Sequence, residues 1–196
     1  VKAQRFSGSR QMAEYVTAQQ PDIILIHFYL RWMYEWIVSL PCPVIVWGHG
    51  YEAMSWWRRK YHLGMNKPDL GYILENRKQL RSYKDLIRYS NNTGKVKFVF
   101  VSQWLKAANS SDTGITPHFF EIFPNPVENR IFNIPAAAGR RKSILAIRSF
   151  HHPKKYSVDL LRDAILVLSK RKIFSELTIK IYGDGAYFEE MTEGLK

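Results

Sequence analysis

The chain has 196 residues, 46% of them hydrophobic, with 6 Trp, 11 Tyr and 11 Phe, so a segment unable to bury a core is excluded. A single cysteine, Cys42, excludes an internal disulfide framework, and its setting in Pro41-Cys42-Pro43 reads as a small buried residue. The 29 Lys and Arg against 17 Asp and Glu give a formal charge of +12, which favours polyanionic partners: nucleic acid, an anionic membrane surface or phosphorylated substrates.

Ser9 is expected to cap a helix over residues 10 to 19, with Met12, Tyr15 and Val16 on one face. Pro21-Asp22 opens the run Ile23-Ile24-Leu25-Ile26-His27, whose unbroken apolar character fits a strand buried on both faces of a parallel sheet. Residues 29 to 39 read as an aromatic-rich helix, and Val44 to Trp47 as a second buried strand ending in Gly48-His49-Gly50. A helix is expected over residues 70 to 90, with Ile73, Leu80, Tyr83 and Ile87 in helical spacing and a basic stripe of Arg77, Arg81, Lys84 and Arg88. Asn91-Asn92-Thr93-Gly94 should end it. Phe98 to Val101 is a third strand, Ser102 caps a helix through Asn109, and Phe119 to Phe123 is a fourth strand closed by Pro124-Asn125-Pro126.

Residues 133 to 142 shift to small and charged types and read as an interdomain linker. Ser143 to Ile147 then reads as a strand, 157 to 172 as an amphipathic helix, Leu177 to Tyr182 as a strand, and Gly183-Asp184-Gly185 as the turn into a last helix. Strands alternating with helices argue an α/β fold with parallel sheets.

Ligands of open α/β sheets bind at the carboxyl ends of strands, and the distinctive motifs fall there. Gly48-His49-Gly50-Tyr51-Glu52 follows a strand; its glycines admit close backbone approach and His49 exchanges hydrogen bonds near neutral pH, though a histidine between glycines also serves purely structural ends. Arg148 closes a strand, and Lys154 and Lys155 follow just before a helix; cations converging with a helix N-terminus suit a diphosphate, while a solvated loop is the plainer reading. Gly183-Asp184-Gly185 fits a nucleotide pocket or an ordinary tight turn. The histidines show no metal-ligand spacing beyond His151-His152, so no metal is expected.

The order of these motifs resembles the large retaining glycosyltransferase group usually called family 4, built from two Rossmann-like domains in the GT-B architecture. Pro21 to His27 is similar to that family's strand ending in His, and Val44 to Gly50 to the next strand with its His-Gly. Phe98 to Lys106, then Ile122 to Glu128 and Phe132, resembles its Ser-Glu-Trp-Leu and Pro-Asn-Pro-Val-Asp stretch. Ile144 to Ala164 and Ile179 to Gly185 resemble its Gly-Arg, Lys-Gly and Gly-Asp-Gly elements. Ile147 stands where glycine usually precedes the arginine, Glu128 replaces an aspartate, and the register of Lys154 against Lys155 stays open.

The resemblance implies an acceptor-side domain over 1–135 lacking its N-terminal part, a linker at 136–142, and the first half of a donor-binding domain over 143–196. It therefore implies a partial chain, inactive as given. It implies transfer of a sugar from a nucleotide-sugar donor, itself a substrate and no cofactor, to a glycan or lipid-linked acceptor with retention. His49, Arg148 and Lys154 would be catalytic. Arg148, Lys154, Lys155, Gly183, Asp184 and Gly185 would bind the donor; His27, His49, Gly50, Tyr51 and Glu52 would face the acceptor. A sugar-nucleotide epimerase of the same build and a purely structural piece stay open.

The charge is concentrated: residues 54 to 97 hold eleven Lys or Arg against Asp69, Glu75 and Asp85. Trp56, Trp57, Arg58, Arg59 and Lys60, with Arg77, Arg81, Lys84 and Arg88, read as a membrane or acceptor contact, or as a solvated helix face with buried aromatics. A basic nucleic-acid-binding module is the reading from another class, but no helix-turn-helix, RNA-recognition or zinc pattern is present. No apolar run reaches the roughly 18 residues of a membrane span, and Arg5 and Arg10 interrupt any signal peptide. A cytoplasmic protein, peripheral on the inner face of a membrane, is the expectation.

Overall fold

The computed structural model describes residues 9–62, 70–131 and 142–195, and the chain divides into two compact units, Val1–Glu128 and Asn129–Lys196. Phe132 and the expected linker, apart from Lys142, lie outside the described residues.

The first unit carries a four-stranded sheet of β1 (Ile24–His27), β2 (Val44–Gly48), β3 (Val96–Phe100) and β4 (Phe120–Ile122), parallel and in sequence order. Parallel crossovers are right-handed, so a sheet laid down in this order stacks its connections on one face. That face is the core: Ile26, Val44, Val46, Val96, Phe98 and Phe100 point into it and meet Tyr29, Ile37, Tyr83, Leu86 and Ile87. Leu25 and His27 of β1 and Phe123 beyond β4 belong to the opposite side and are exposed.

The helices are α1 (Ser9–Gln19), α2 (Tyr34–Ser39), α3 (Leu70–Thr93) and α4 (Gln103–Thr113). Residues 29 to 39 do not form the single helix expected: a 3-10 turn at Arg31–Met33 precedes α2. α3 runs past Asn91 and Asn92, because Asn91 accepts from His118 N–H (2.7 Å) and donates to Thr116 O (3.0 Å), and it ends at left-handed Gly94 (φ 69°). Ser102 caps α4 as its spacing requires, its Oγ accepting from Leu105 N–H at 3.1 Å.

The second unit pairs β5 (Ser143–Ile147) with β6 (Thr178–Tyr182) in parallel. The helix expected over 157 to 172 is α6 (Val158–Leu168), which stops short of the expected end and gives way to a 3-10 turn at Lys172–Glu176; a single turn, α5 (Pro153–Tyr156), precedes it across left-handed Ser157 (φ 55°). α7 (Phe188–Thr192) follows the Gly183–Gly185 turn. The chain is thus α/β with two parallel sheets, Rossmann-like in general character.

Candidate functional site

In the β1–β2 register His27 lies beside Trp47, and His49 follows two residues after Trp47. This brings four rings together at the carboxyl end of the sheet. His27 Nδ1 lies 3.0 Å from His49 Nε2, the two imidazoles being 28° apart in plane with centroids 5.3 Å apart. Phe28 covers His49 at 4.6 Å, and Trp47 stacks on His27 at 5.4 Å. A nitrogen–nitrogen hydrogen bond needs one N–H and one lone pair, so the two rings hold complementary protonation at the shared edge. The contact engages Nε2 of His49 and Nδ1 of His27.

Phe28 adopts a left-handed backbone (φ 62°) and Gly50 one that suits glycine (φ 125°), so both turns bend away from their strands sharply. Below them sits Glu52, only 1% exposed. Its Oε1 accepts the His49 backbone N–H at 2.6 Å, while Oε2 is buried without a hydrogen-bond partner. Burial pushes the carboxyl pKa up. Tyr83, wholly buried, has its pKa raised by burial and then by the Glu52 charge. Glu52 is therefore no open acceptor contact: it braces the His49 turn from beneath. The Tyr51 side chain lies outside what the structure describes.

Two buried amides on α3 complete the floor. Gln79 accepts Arg31 N–H (2.8 Å) and donates to Tyr29 O (2.9 Å) and Glu52 O (3.3 Å). Asn76 accepts Trp56 N–H (2.7 Å) and donates to Met54 O (3.0 Å). Sequence reading missed both. The available signal was two amides at positions 76 and 79 within the 80, 83, 87 apolar stripe.

The basic, aromatic segment does not present one surface. Arg59 is 2% exposed; it donates to Met54 O at 3.3 Å and lies 5.8 Å from the Tyr72 ring. Arg58 stacks on Trp57 (4.2 Å) and pairs with Asp112 at 2.9 Å, a carboxylate with 1% side-chain exposure that also accepts Ser55 N–H. The expectation of a membrane or acceptor contact therefore fails for Arg58 and Arg59, since both cations are committed to holding the segment onto α3 and α4. Trp56 is half-buried, whereas Trp57, Lys60, Arg77, Arg81 and Arg88 are exposed and Lys84 partly so. Arg58→Ala is expected to cost about 2 kcal/mol, because it strands a buried carboxylate, and Arg77→Ala less than about 0.5 kcal/mol. Urea unfolding of the two variants checks the contrast.

In the second unit Arg148 leaves β5 exposed and borders a 650 Å³ cavity otherwise lined by Ile144, Leu145, Ala146, Ile147, Ser157, Leu160 and Leu161. Lys154 and Lys155 sit within α5, exposed and outside that cavity, with Lys155 Nζ 5.0 Å from the Tyr156 ring. The helix expected behind them is α6, which begins at Val158 across the left-handed Ser157. Gly183, Asp184 and Gly185 run alongside the Arg148 strand exit: Arg148 N–H donates to Tyr182 O (3.0 Å), Phe150 N–H to Asp184 O (2.7 Å), and Tyr187 N–H to Phe150 O (3.1 Å). A side chain on Gly183 would overlap the Arg148 carbonyl oxygen, and one on Gly185 the Phe150–His151 peptide. These glycines permit backbone to meet backbone.

Among the described residues no group of three or more His, Cys, Asp or Glu is placed to hold a metal ion, and no helix is long and apolar enough to cross a membrane. The chain matches no protein-family model and no curated protein.

Proposed function

We propose that the chain belongs to a retaining glycosyltransferase of GT-B architecture that moves a sugar from a nucleotide-sugar donor to a glycan or lipid-linked acceptor. One observation carries the reading: His49 at the carboxyl end of a parallel strand, with its backbone braced by buried Glu52 and its ring by His27. Such bracing preorganises an imidazole that must meet a reacting group. In this reading Arg148, assisted by Lys154 or Lys155, stabilises negative charge on the departing nucleoside diphosphate, electrostatic help of the kind oxyanion sites give. His49 offers its imidazole to the sugar or acceptor. His27 acts as a positioning residue, setting the His49 tautomer through the shared edge.

The test has two readouts. Titration with UDP-glucose and GDP-mannose is expected to show saturable binding of at least one, weakened about tenfold by Arg148→Ala. In the full-length protein, release of nucleoside diphosphate is expected to fall about 10²-fold in His49→Ala. His27→Ala should lower turnover with little change in KM, and the ¹⁵N shifts of His49 should move from one tautomer to a mixture. A chain that binds neither sugar nucleotide, or an Arg148→Ala variant that binds as well as wild type, overturns the proposal.

A further inference from the structure

We propose that the groove between the 3-10 turn Arg31–Met33 and the flank of α3 binds a neutral oligosaccharide, with Trp32 as the platform for its rings. Within the transferase reading this narrows the acceptor to a glycan, and in that respect alone it rests on that reading. Two cavities, of 200 Å³ and 360 Å³, both have Arg31 and Trp32 in their walls, so they adjoin across those side chains as one groove. Their lining positions 75, 78, 82 and 85 follow at steps of three or four residues, which sets the groove along one line of the helix. Both volumes lie near or below the lower end of the roughly 300 to 1,000 Å³ of small-molecule sites, room for a sugar ring on either side of Trp32.

The platform is fixed from beneath. Trp32 is 45% exposed, while Trp36, four residues on, is taken into the core. Arg31 N–H donates to Gln79 Oε1 (2.8 Å), and Arg31 O accepts from Ser82 Oγ (3.4 Å). Side chains one turn apart on α3 thus hold both peptide groups of the residue before Trp32, the support that keeps a recognition side chain in place. Gln79 also donates to Tyr29 O and Glu52 O, which ties the groove to the floor of the His49 turn.

The polar groups identify the occupant. Three cations, Arg31, Lys78 and Arg81, and three carboxylates, Glu35, Glu75 and Asp85, line the two cavities. The groove therefore carries no net charge on a chain of +12, and a phosphate, nucleic acid or anionic lipid finds no net attraction there. Neighbouring sugar hydroxyls each donate and accept, which suits a carboxylate set beside a guanidinium. Glu75 supplies that pairing, 3.2 Å from Arg31 and 2.7 Å from Lys78. All three side chains are more than half exposed, so the ion pairs add little to stability and leave edges open to a ligand. The indole beside them takes the apolar C–H face of the ring, as aromatic walls do in sites with few polar groups.

Titration with maltotriose, cellotriose and mannotriose, without sugar nucleotide, tests the assignment through the ¹H–¹⁵N signals of the indoles. At least one trisaccharide is expected to bind saturably and to shift Trp32, leaving Trp36 and Trp104 unmoved. Trp32→Ala should weaken that binding at least about tenfold, Trp32→Tyr less, and Glu75→Gln about fivefold. Trp104→Ala, at an exposed tryptophan of α4, should bind as wild type, and thermal unfolding should show all four variants folded. Trigalacturonate, of the same length but anionic, should bind no more tightly than the neutral sugars. The proposal is overturned if no neutral trisaccharide shifts Trp32, if Trp104→Ala loses as much as Trp32→Ala, or if trigalacturonate binds more tightly and is released by salt. Trisaccharide binding by a chain that takes up neither UDP-glucose nor GDP-mannose would uphold the groove and sink the transferase reading; sugar-nucleotide binding without trisaccharide binding would do the opposite.

Discussion

Glu52→Gln is expected to make the protein more stable at neutral pH and not at acid pH, whereas Glu52→Ala is expected to cost about 3 kcal/mol. The alanine variant removes the acceptor of the His49 N–H and leaves a hole in the floor of the site. The glutamine variant keeps an oxygen for that N–H and removes a buried charge. The sign follows from the raised pKa. Well below the usual carboxylate range both folded and unfolded chains hold the proton, and Glu52 makes no pH-dependent contribution. As pH rises through that range the unfolded chain releases its proton while the folded chain retains it, so wild-type stability falls until the folded carboxyl also ionises, and stays lower above that. The glutamine side chain does not titrate. The variant-minus-wild-type difference in unfolding free energy should therefore grow from acid to neutral pH in urea titrations; a difference that grows on acidification would show that Glu52 is stabilised as a carboxylate.

That result would bear on how the site is built as well as on one residue. Glu52 was readable in the sequence as a member of Gly48-His49-Gly50-Tyr51-Glu52, which the resemblance set facing the acceptor. The structure sets it under the turn because the 3-10 segment Tyr51–Ala53 folds its side chain back onto the His49 N–H. Burial follows from where α3 lies, which no local pattern states.

β1 and β2 were legible because each is a short apolar run set off by a preceding proline, but the burial on both faces expected of β1 fails, since Ile23, Leu25 and His27 are exposed on the side away from the helices; β3, β4 and β6 carry Lys97, Glu121 and Lys180 within them. The pairing of His27 with His49 was half legible: both close strands, but only a sheet in which β1 and β2 are neighbours in register brings the rings within 3.0 Å. The basic segment misled for a related reason. Arg58 and Arg59 look alike beside Lys60, yet the partner that draws Arg58 inward, Asp112, lies 54 residues away in α4. Composition measures how much charge a segment has; packing decides which cations are left to face solvent.

Gly183→Ala and Gly185→Ala are each expected to cost about 4 kcal/mol or to unfold the second unit, the largest effects foreseen for single methyl groups in this chain. At Gly183 the new carbon would overlap the Arg148 carbonyl oxygen and lie 2.8 Å from the Phe150 ring. Neither neighbour can yield cheaply: the oxygen is backbone, and Phe150 is buried against Phe188 with ring centroids 4.8 Å apart. Gly185 adds a backbone angle of φ 138° that side chains rarely adopt, with its overlap again on backbone at Phe150 and His151. Gly194 is the internal control. Its φ of 75° is also left-handed, but nothing lies within 4 Å of the added carbon, so Gly194→Ala should cost only about 1 to 2 kcal/mol. Thermal unfolding of the three variants separates conformational strain from overlap. Sugar-nucleotide titration of whichever variants remain folded then asks what the turn does beyond packing. If Gly183→Ala melts like wild type, the close approach of the Gly183–Gly185 and Arg148–Phe150 segments is wrong, and the shape inferred for the end of β5 beside Arg148 goes with it.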